Sequence, residues 1–279
     1  MSLKSRMDEI RQLIDGFSGE LAYSILDEQS GEIYNYRCDA VMPTASTMKV
    51  FCLARLLRMV QDGELSLDDP VIMSESNQVR GSGVLKELHL GLELTLRDAC
   101  MLMVIVSDNT ATNMVIDAVG GVAEVNRFLE EFGFEHCEIR NRLEFEKIKT
   151  AEDLAVATTG EFLQFLLFVR DSDYLNDAMK REYFNFLAHQ QCVDQFPRYM
   201  PYNQYAAETY QPCEMQVYNK TGFMVEVRTD VGYIETAAGK KVTYAVFSDH
   251  CADKSFLAEN EGNVVLGKIG RIVYEEILS

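Results

Sequence analysis

Residues 96–106, LRDACMLMVIV, are apolar on almost every side of a helix. A helix with one apolar stripe can lie on a surface, but one that is apolar all round has to be enclosed. Thr95 and Asp98 form the pattern of a capping box at its start. The chain must therefore wrap other elements round this segment. Candidates lie on both sides. Residues 47–61 are apolar at helical spacing and stop at Gly63; residues 109–119 stop at Gly120-Gly121; residues 122–132 stop at Gly133. Thr150 and Asp153 suggest a further cap, with helices expected from about 151 to 190.

Outside this block the period changes from helical to alternating. Residues 20–27 and 32–37 alternate about a turn at 28–31, the pattern of a hairpin. Alternation returns at 215–220, 224–228, 231–236 and 241–247, with a hairpin loop at 237–240. Helices are expected at 5–15 and, amphipathic, at 256–278. The predicted class is α+β: early and late strands form one antiparallel sheet flanked by helices, beside an all-helical lobe. Residues 1–279 read as a single domain of two lobes, 1–40 with 213–279 forming the sheet lobe and 41–212 the helical lobe. A ligand pocket is expected where they meet.

Composition narrows the partners. The 279 residues carry a formal net charge of -18, which repels phosphate backbones and anionic lipid. No apolar run approaches the roughly 18–20 residues that span a bilayer. The first residues, MSLKSRMDEIRQLIDGF, contain no apolar core of a secretory leader. The compartment is left open between the cytoplasm and export with the leader removed. Seven cysteines, Cys38, Cys52, Cys100, Cys137, Cys192, Cys213 and Cys251, cannot all pair internally and include no C-x-x-C, which leans towards a reducing setting. His89, His136, His189 and His250 make neither H-x-H nor H-E-x-x-H, so neither metal nor cofactor is expected. No G-x-S-x-G elbow or phosphate-binding glycine loop is present, and a monomer is expected.

Three short motifs occur in order: Ser46-Thr47-Met48-Lys49 opening a helix, Ser107-Asp108-Asn109 in the break after the buried helix, and Lys220-Thr221-Gly222 ending a strand. Alone, each is common as a helix surface, a cap or a strand-end turn. Together they suit acyl transfer. A serine hydroxyl needs a neighbouring base, and Lys49 lies one turn from Ser46 on the same face. A helix N-terminus at Ser46 favours a developing oxyanion. Ser107 can relay a proton to a leaving nitrogen, and Lys220 can hold a substrate carboxylate. The backbone N–H of Phe223 is a candidate second oxyanion donor.

This set, with its setting Pro43-Thr44-Ala45-Ser46-Thr47-Met48-Lys49-Val50 and Ser107-Asp108-Asn109-Thr110-Ala111-Thr112-Asn113, resembles class A β-lactamases and penicillin-binding proteins. The resemblance covers nearly the whole chain, including the element order. It implies that Ser46 is acylated, Lys49 activates it, Ser107 shuttles a proton and Asn109 holds the substrate amide. Lys220 and Thr221 would bind the carboxylate, with Arg228 as a second cation. It implies a deacylating Glu in the loop Arg140-Asn141-Arg142-Leu143-Glu144-Phe145-Glu146; Glu144 fits best, with Glu146 as the alternative. The implied substrate is a β-lactam or a peptidoglycan-like peptide.

Three departures from the family stand out. The loop carrying Glu144 is about ten residues short. Phe223 follows Lys-Thr-Gly where a small polar residue is usual, narrowing the pocket and removing a hydroxyl contact. The stretch 190–214 is long and is placed to shape or cover the site. Three readings follow: a β-lactam hydrolase with Glu144-assisted deacylation, a penicillin-binding D,D-peptidase or esterase with slow deacylation, or a binding protein that kept the fold.

Overall fold

The computed structural model describes residues 3–206 and 208–279. Five strands form the main sheet: β1 (Glu20–Asp27), β2 (Glu32–Tyr36), β3 (Met215–Met224), β4 (Val227–Thr236) and β5 (Lys241–Asp249). Their order is β2-β1-β5-β4-β3 and every pairing is antiparallel. First and last segments of the chain thus meet at β1 and β5, in register from Glu20 opposite Asp249 to Asp27 opposite Val242. β3 is an edge strand, and its free side faces the helical block.

The sheet is covered on both faces. Leu21, Tyr23, Ile25, Tyr244 and Val246 pack with Ile10 of α1 (Met7–Asp15) and with Leu266 and Ile269 of α8 (Glu261–Val273). Ala22, Ala245 and Phe247 point the other way, into a cluster with Phe51 of α2 (Lys49–Gln61) and Phe162 and Phe165 of α6 (Thr159–Asp171). Successive strand residues face opposite sides, so burial of both faces explains why β1 is buried continuously from Leu21 to Ile25.

The apolar segment is α3 (Leu96–Ile105), packed among α2, α4 (Asn109–Ala118) and α7 (Asp177–Ala188). Its capping box is present: the Asp98 N–H donates to Thr95 Oγ1 at 3.1 Å, and the Thr95 N–H to Asp98 Oδ2 at 3.2 Å. Thr95→Ala removes one side of this box and should cost about 1 kcal/mol in urea unfolding. No loss would mean that packing alone sets the helix start. α5 (Val122–Glu131) follows the glycine pair as expected.

Two expectations need correction. Thr150 and Asp153 do form a capping box, but over a short 3-10 turn, Ala151–Asp153. Ala155–Ala157 then forms a buried strand between Met42–Pro43 and Glu138–Ile139, and α6 begins only after the Thr158 cap. The strands at 224–228 and 231–236 are also redrawn. β3 runs through Lys220-Thr221-Gly222 to Met224, Val225-Glu226 make the turn, and β4 runs unbroken from Val227. Glu226, the second of the two turn residues, takes a left-handed backbone, φ 69°, the position at which a type II turn needs positive φ. Among the described residues no helix is long and apolar enough to cross a membrane.

Candidate active site

Ser46 lies in a 3-10 turn, Ala45–Met48, that runs straight into α2, whose first residue is Lys49. The turn is held against the sheet edge. Thr229 Oγ1 on β4 donates to the Thr44 carbonyl at 2.8 Å. A Cβ on Gly222 would stand 2.8 Å from both the Ser46 nitrogen and the Thr44 oxygen. Only a strand without a side chain there comes this close to the serine.

The Lys49 side chain is fully buried. Its Nζ meets the Ser107 carbonyl at 2.8 Å, Ser107 Oγ at 2.9 Å and Asn109 Oδ1 at 3.0 Å. Ser107 holds a left-handed backbone, φ 54°, in the break between α3 and α4, a strained conformation of the kind that collects at functional sites. Burial, with repulsion from Lys220 added, pushes the Lys49 amine well below the usual lysine range. Nζ donates to all three partners, so it is held between the carbonyl and hydroxyl of Ser107 and the side-chain amide oxygen of Asn109.

Lys220 is buried on β3, bonds the Thr221 carbonyl at 2.6 Å, and is pushed down to about 8 by burial. Gln190, absent from the motif reading, staples this strand to α3. Its Nε2 donates to the Val104 carbonyl at 3.0 Å and the Asn219 carbonyl at 3.3 Å. That staple brings the strand bearing Lys220 alongside the α3 end that leads into Ser107. Thr221 Oγ1 is buried with no partner among the described residues, an orphan a ligand group would satisfy.

Two expected residues are held by partners of their own. Arg228 is almost fully buried and gives its guanidinium to carbonyls of Met224 (2.8 Å), Val227 (2.7 Å) and Ser255 (2.6 Å). It lies beneath the Phe256 ring, 5.4 Å from its centre. Glu144 pairs with Lys147 at 2.5 Å and Arg142 at 3.5 Å, and Glu146 is exposed. Neither carboxylate joins the bonds round Lys49. Both line a cavity of about 460 Å³ with Glu75, Arg80 and Asn113.

Asn113 carries the loop. Its Oδ1 accepts from the Leu143 N–H at 3.0 Å and its Nδ2 donates to the Leu143 carbonyl at 3.0 Å. Asn113 is four residues after Asn109 on α4, so both face the site, and that spacing was the available signal. Phe145, on the same loop, was missed: its ring and Asn109 Nδ2 both approach Gly81.

If Lys220 must be cationic to hold a carboxylate, its depressed value has a direct consequence. For a carboxylate-bearing substrate, kcat/KM should fall about tenfold per pH unit above about 8, as the ammonium is lost. An analogue with that carboxylate esterified should lack this limb. The same limb for both would assign it to another group.

An antiparallel five-stranded sheet with helices on both faces, and a serine turn, buried lysine and second serine at its edge, defines the α+β fold of class A β-lactamases. A family model described as the β-lactamase enzyme family matches residues 5–277, and the chain belongs to that family. It is 22% identical to β-lactamase BRO-1 of Moraxella catarrhalis over 98% of this chain and 84% of that protein. A β-lactamase of Sphaerobacter thermophilus superposes with TM-score 0.85 at 26% identity, covering 99% of this chain and 97% of that one. A PBP-A variant, solved as an acyl-enzyme complex with penicillin G, matches at TM-score 0.83 and 21% identity over 98% and 96%. The protein is a serine hydrolase of the β-lactamase type.

Proposed function

We propose that Ser46 opens a β-lactam ring by forming an acyl-enzyme, and that release of this acyl-enzyme is the slow step. The observation that carries the reading is Lys49 Nζ, buried and bonded to Ser107 Oγ at 2.9 Å, one helical turn from Ser46. Ser46 Oγ adds to the carbonyl and its proton passes to the neutral Lys49 amine. The C–N bond breaks, Ser107 gives its proton to the leaving nitrogen and regains one from Lys49. The N–H groups of Ser46 and Phe223 stabilise the oxyanion. Asn109 holds the substrate amide, while Lys220 and Thr221 hold the carboxylate. The site lies between the two lobes, 1–40 with 213–279 and 41–212, of one unit.

Deacylation differs from what the resemblance implies, because Glu144 is held by Lys147 and Arg142. This favours the slow-deacylating, penicillin-binding reading over fast hydrolysis. Intact mass after mixing with penicillin G tests both steps. A one-equivalent adduct on Ser46 that persists for minutes or longer is expected. Glu144→Gln should leave its lifetime within about twofold. No adduct and no turnover would sink the acylation step. A lifetime at least about tenfold longer in the variant would restore Glu144 as the base.

A further inference from the structure

We propose that Gln195 is a positioning residue for acyl transfer: by holding the Gly222 carbonyl it orients the Phe223 N–H that serves Ser46 as an oxyanion donor. The proposal rests on the acyl-enzyme reading of Ser46 and deepens it.

The Gly222 carbonyl and the Phe223 N–H are the two ends of one peptide group. That group is planar and trans, so fixing one end aims the other in the opposite direction. Gln195 Nε2 donates to the Gly222 carbonyl at 3.0 Å. Which way the N–H then points follows from the strand. Backbone groups of alternate strand residues turn to the same side, so those of Phe223 share the side of those of Asn219. The Asn219 carbonyl accepts from Gln190 Nε2 at 3.3 Å, and the same Nε2 reaches the Val104 carbonyl on α3. The Phe223 N–H is therefore on the free edge of β3, which faces the helical block. At the residue before it, the strand leaves no room for a side chain beside the Ser46 nitrogen.

Gln195 is itself fixed. Its side chain is buried, and its Oε1 has no partner among the described residues, so its bond to Gly222 stands alone. The next residue, Phe196, donates its N–H to Asp230 Oδ2 at 3.0 Å, and Asp230 stands on β4 opposite Thr221. Asp230 Oδ1 accepts from Asn219 Nδ2 at 3.0 Å and from the Tyr244 hydroxyl at 3.1 Å. Behind the turn, α8 presents glycines. A Cβ at Gly267 would meet the Gln195 carbonyl at 3.1 Å, and one at Gly270 would overlap the Phe196 carbonyl. The long stretch 190–214 thus begins by gripping β3 at Asn219 and Gly222, on either side of Lys220 and Thr221. A bond to the carbonyl also polarises the peptide and strengthens its N–H as a donor.

The test measures acylation by penicillin G and the ester carbonyl stretch of the acyl-enzyme, which moves to higher wavenumber as its hydrogen bonds weaken. Gln195→Met keeps a similar volume and removes the donor. It should lower the acylation rate constant about tenfold, less than outright loss of an oxyanion donor. The dissociation constant of the preceding complex should stay within about twofold, and the stretch should move upward. Gln195→Glu adds a pH readout. An ionised carboxylate repels the Gly222 carbonyl, whereas a protonated one donates to it. The rate of this variant relative to wild type should therefore rise as the pH is lowered. An unchanged rate constant and an unmoved stretch in Gln195→Met overturn the proposal and leave Gln195 a structural residue. A flat pH ratio in Gln195→Glu overturns it as well, even where Gln195→Met does not fold. Absence of a Ser46 adduct in the wild type would instead overturn the acyl-enzyme reading beneath it.

Discussion

Lys49→Met should lose at least about 10³-fold in acylation rate while the protein stays folded, its stability changed by no more than about 2 kcal/mol. The first half follows from the bonds. Nζ is the only basic atom tied to both Ser107 and Asn109 among the described residues. General base catalysis at such a position is worth roughly 10² to 10⁴-fold, and here the amine also sets the Ser107 relay. The second half follows from burial. The side chain is fully enclosed, and burial already drives the amine towards its neutral form. A methionine of similar volume relieves that desolvation. Against this, the Ser107 carbonyl and Asn109 Oδ1 each lose a donor, at about 1–3 kcal/mol apiece. The opposing effects are of similar size, so the net change should stay within about 2 kcal/mol. Stopped-flow acylation and urea unfolding measure the two halves. A variant that acylates within tenfold of wild type would remove Lys49 as the base. One that unfolds early would make it a structural lysine.

Much of this framework is legible in the chain because local signals and burial agree. The capping box at Thr95 and Asp98 and the all-round apolar run after it dictate one enclosed helix, and α3 is that helix. The spacing of Ser46 and Lys49 is a local property that any helix start realises. What could not be read depends on partners distant in sequence or on a shift of one residue. Arg228 is the clear case. The pair Gly222–Thr229 faces the Ser46 turn, so the next pair, Phe223–Arg228, must face away from it. Counting eight residues on from Lys220 gives a cation at a suitable distance but cannot give its face. That depends on Glu226 accepting a left-handed turn. Glu144 is similar: Lys147, three residues on, competes for its carboxylate, and only the folded loop reveals which partner it keeps. The strand at Ala155–Ala157 is too short to alternate and exists because two other strands pass on either side of it. Phe256 carries no motif, and its place is set by contacts across 28 residues of sequence to Arg228.

Gly222→Ala should be the most damaging single methyl group that can be added at the sheet edge. The new Cβ would lie 2.3 Å from Thr229 Oγ1 and 2.8 Å from the Ser46 nitrogen and the Thr44 oxygen. Two of these three are backbone atoms, so rotating one side chain cannot relieve the contact. Either β3 moves away from the turn, or the turn moves away from β3 and breaks the 2.8 Å bond from Thr229 to Thr44. Both motions separate the Ser46 N–H from the strand N–H that is proposed to share the oxyanion. A displacement of about 1 Å at a reacting centre costs on the order of 10²-fold, and loss of one oxyanion donor costs 10² to 10³-fold. The expected result is a fall of at least about 10²-fold in acylation by penicillin G, carried in the rate constant rather than in binding. Destabilisation should be about 1–3 kcal/mol, as for other overpacked positions. Thr229→Ser combined with Gly222→Ala leaves the hydroxyl in place and does not relieve the backbone contacts, so it should not rescue. Thr229→Ala alone removes the bond but not the space, and should cost less than about tenfold. If Gly222→Ala acylates at the wild-type rate, the close approach of strand and serine is not what builds the oxyanion site.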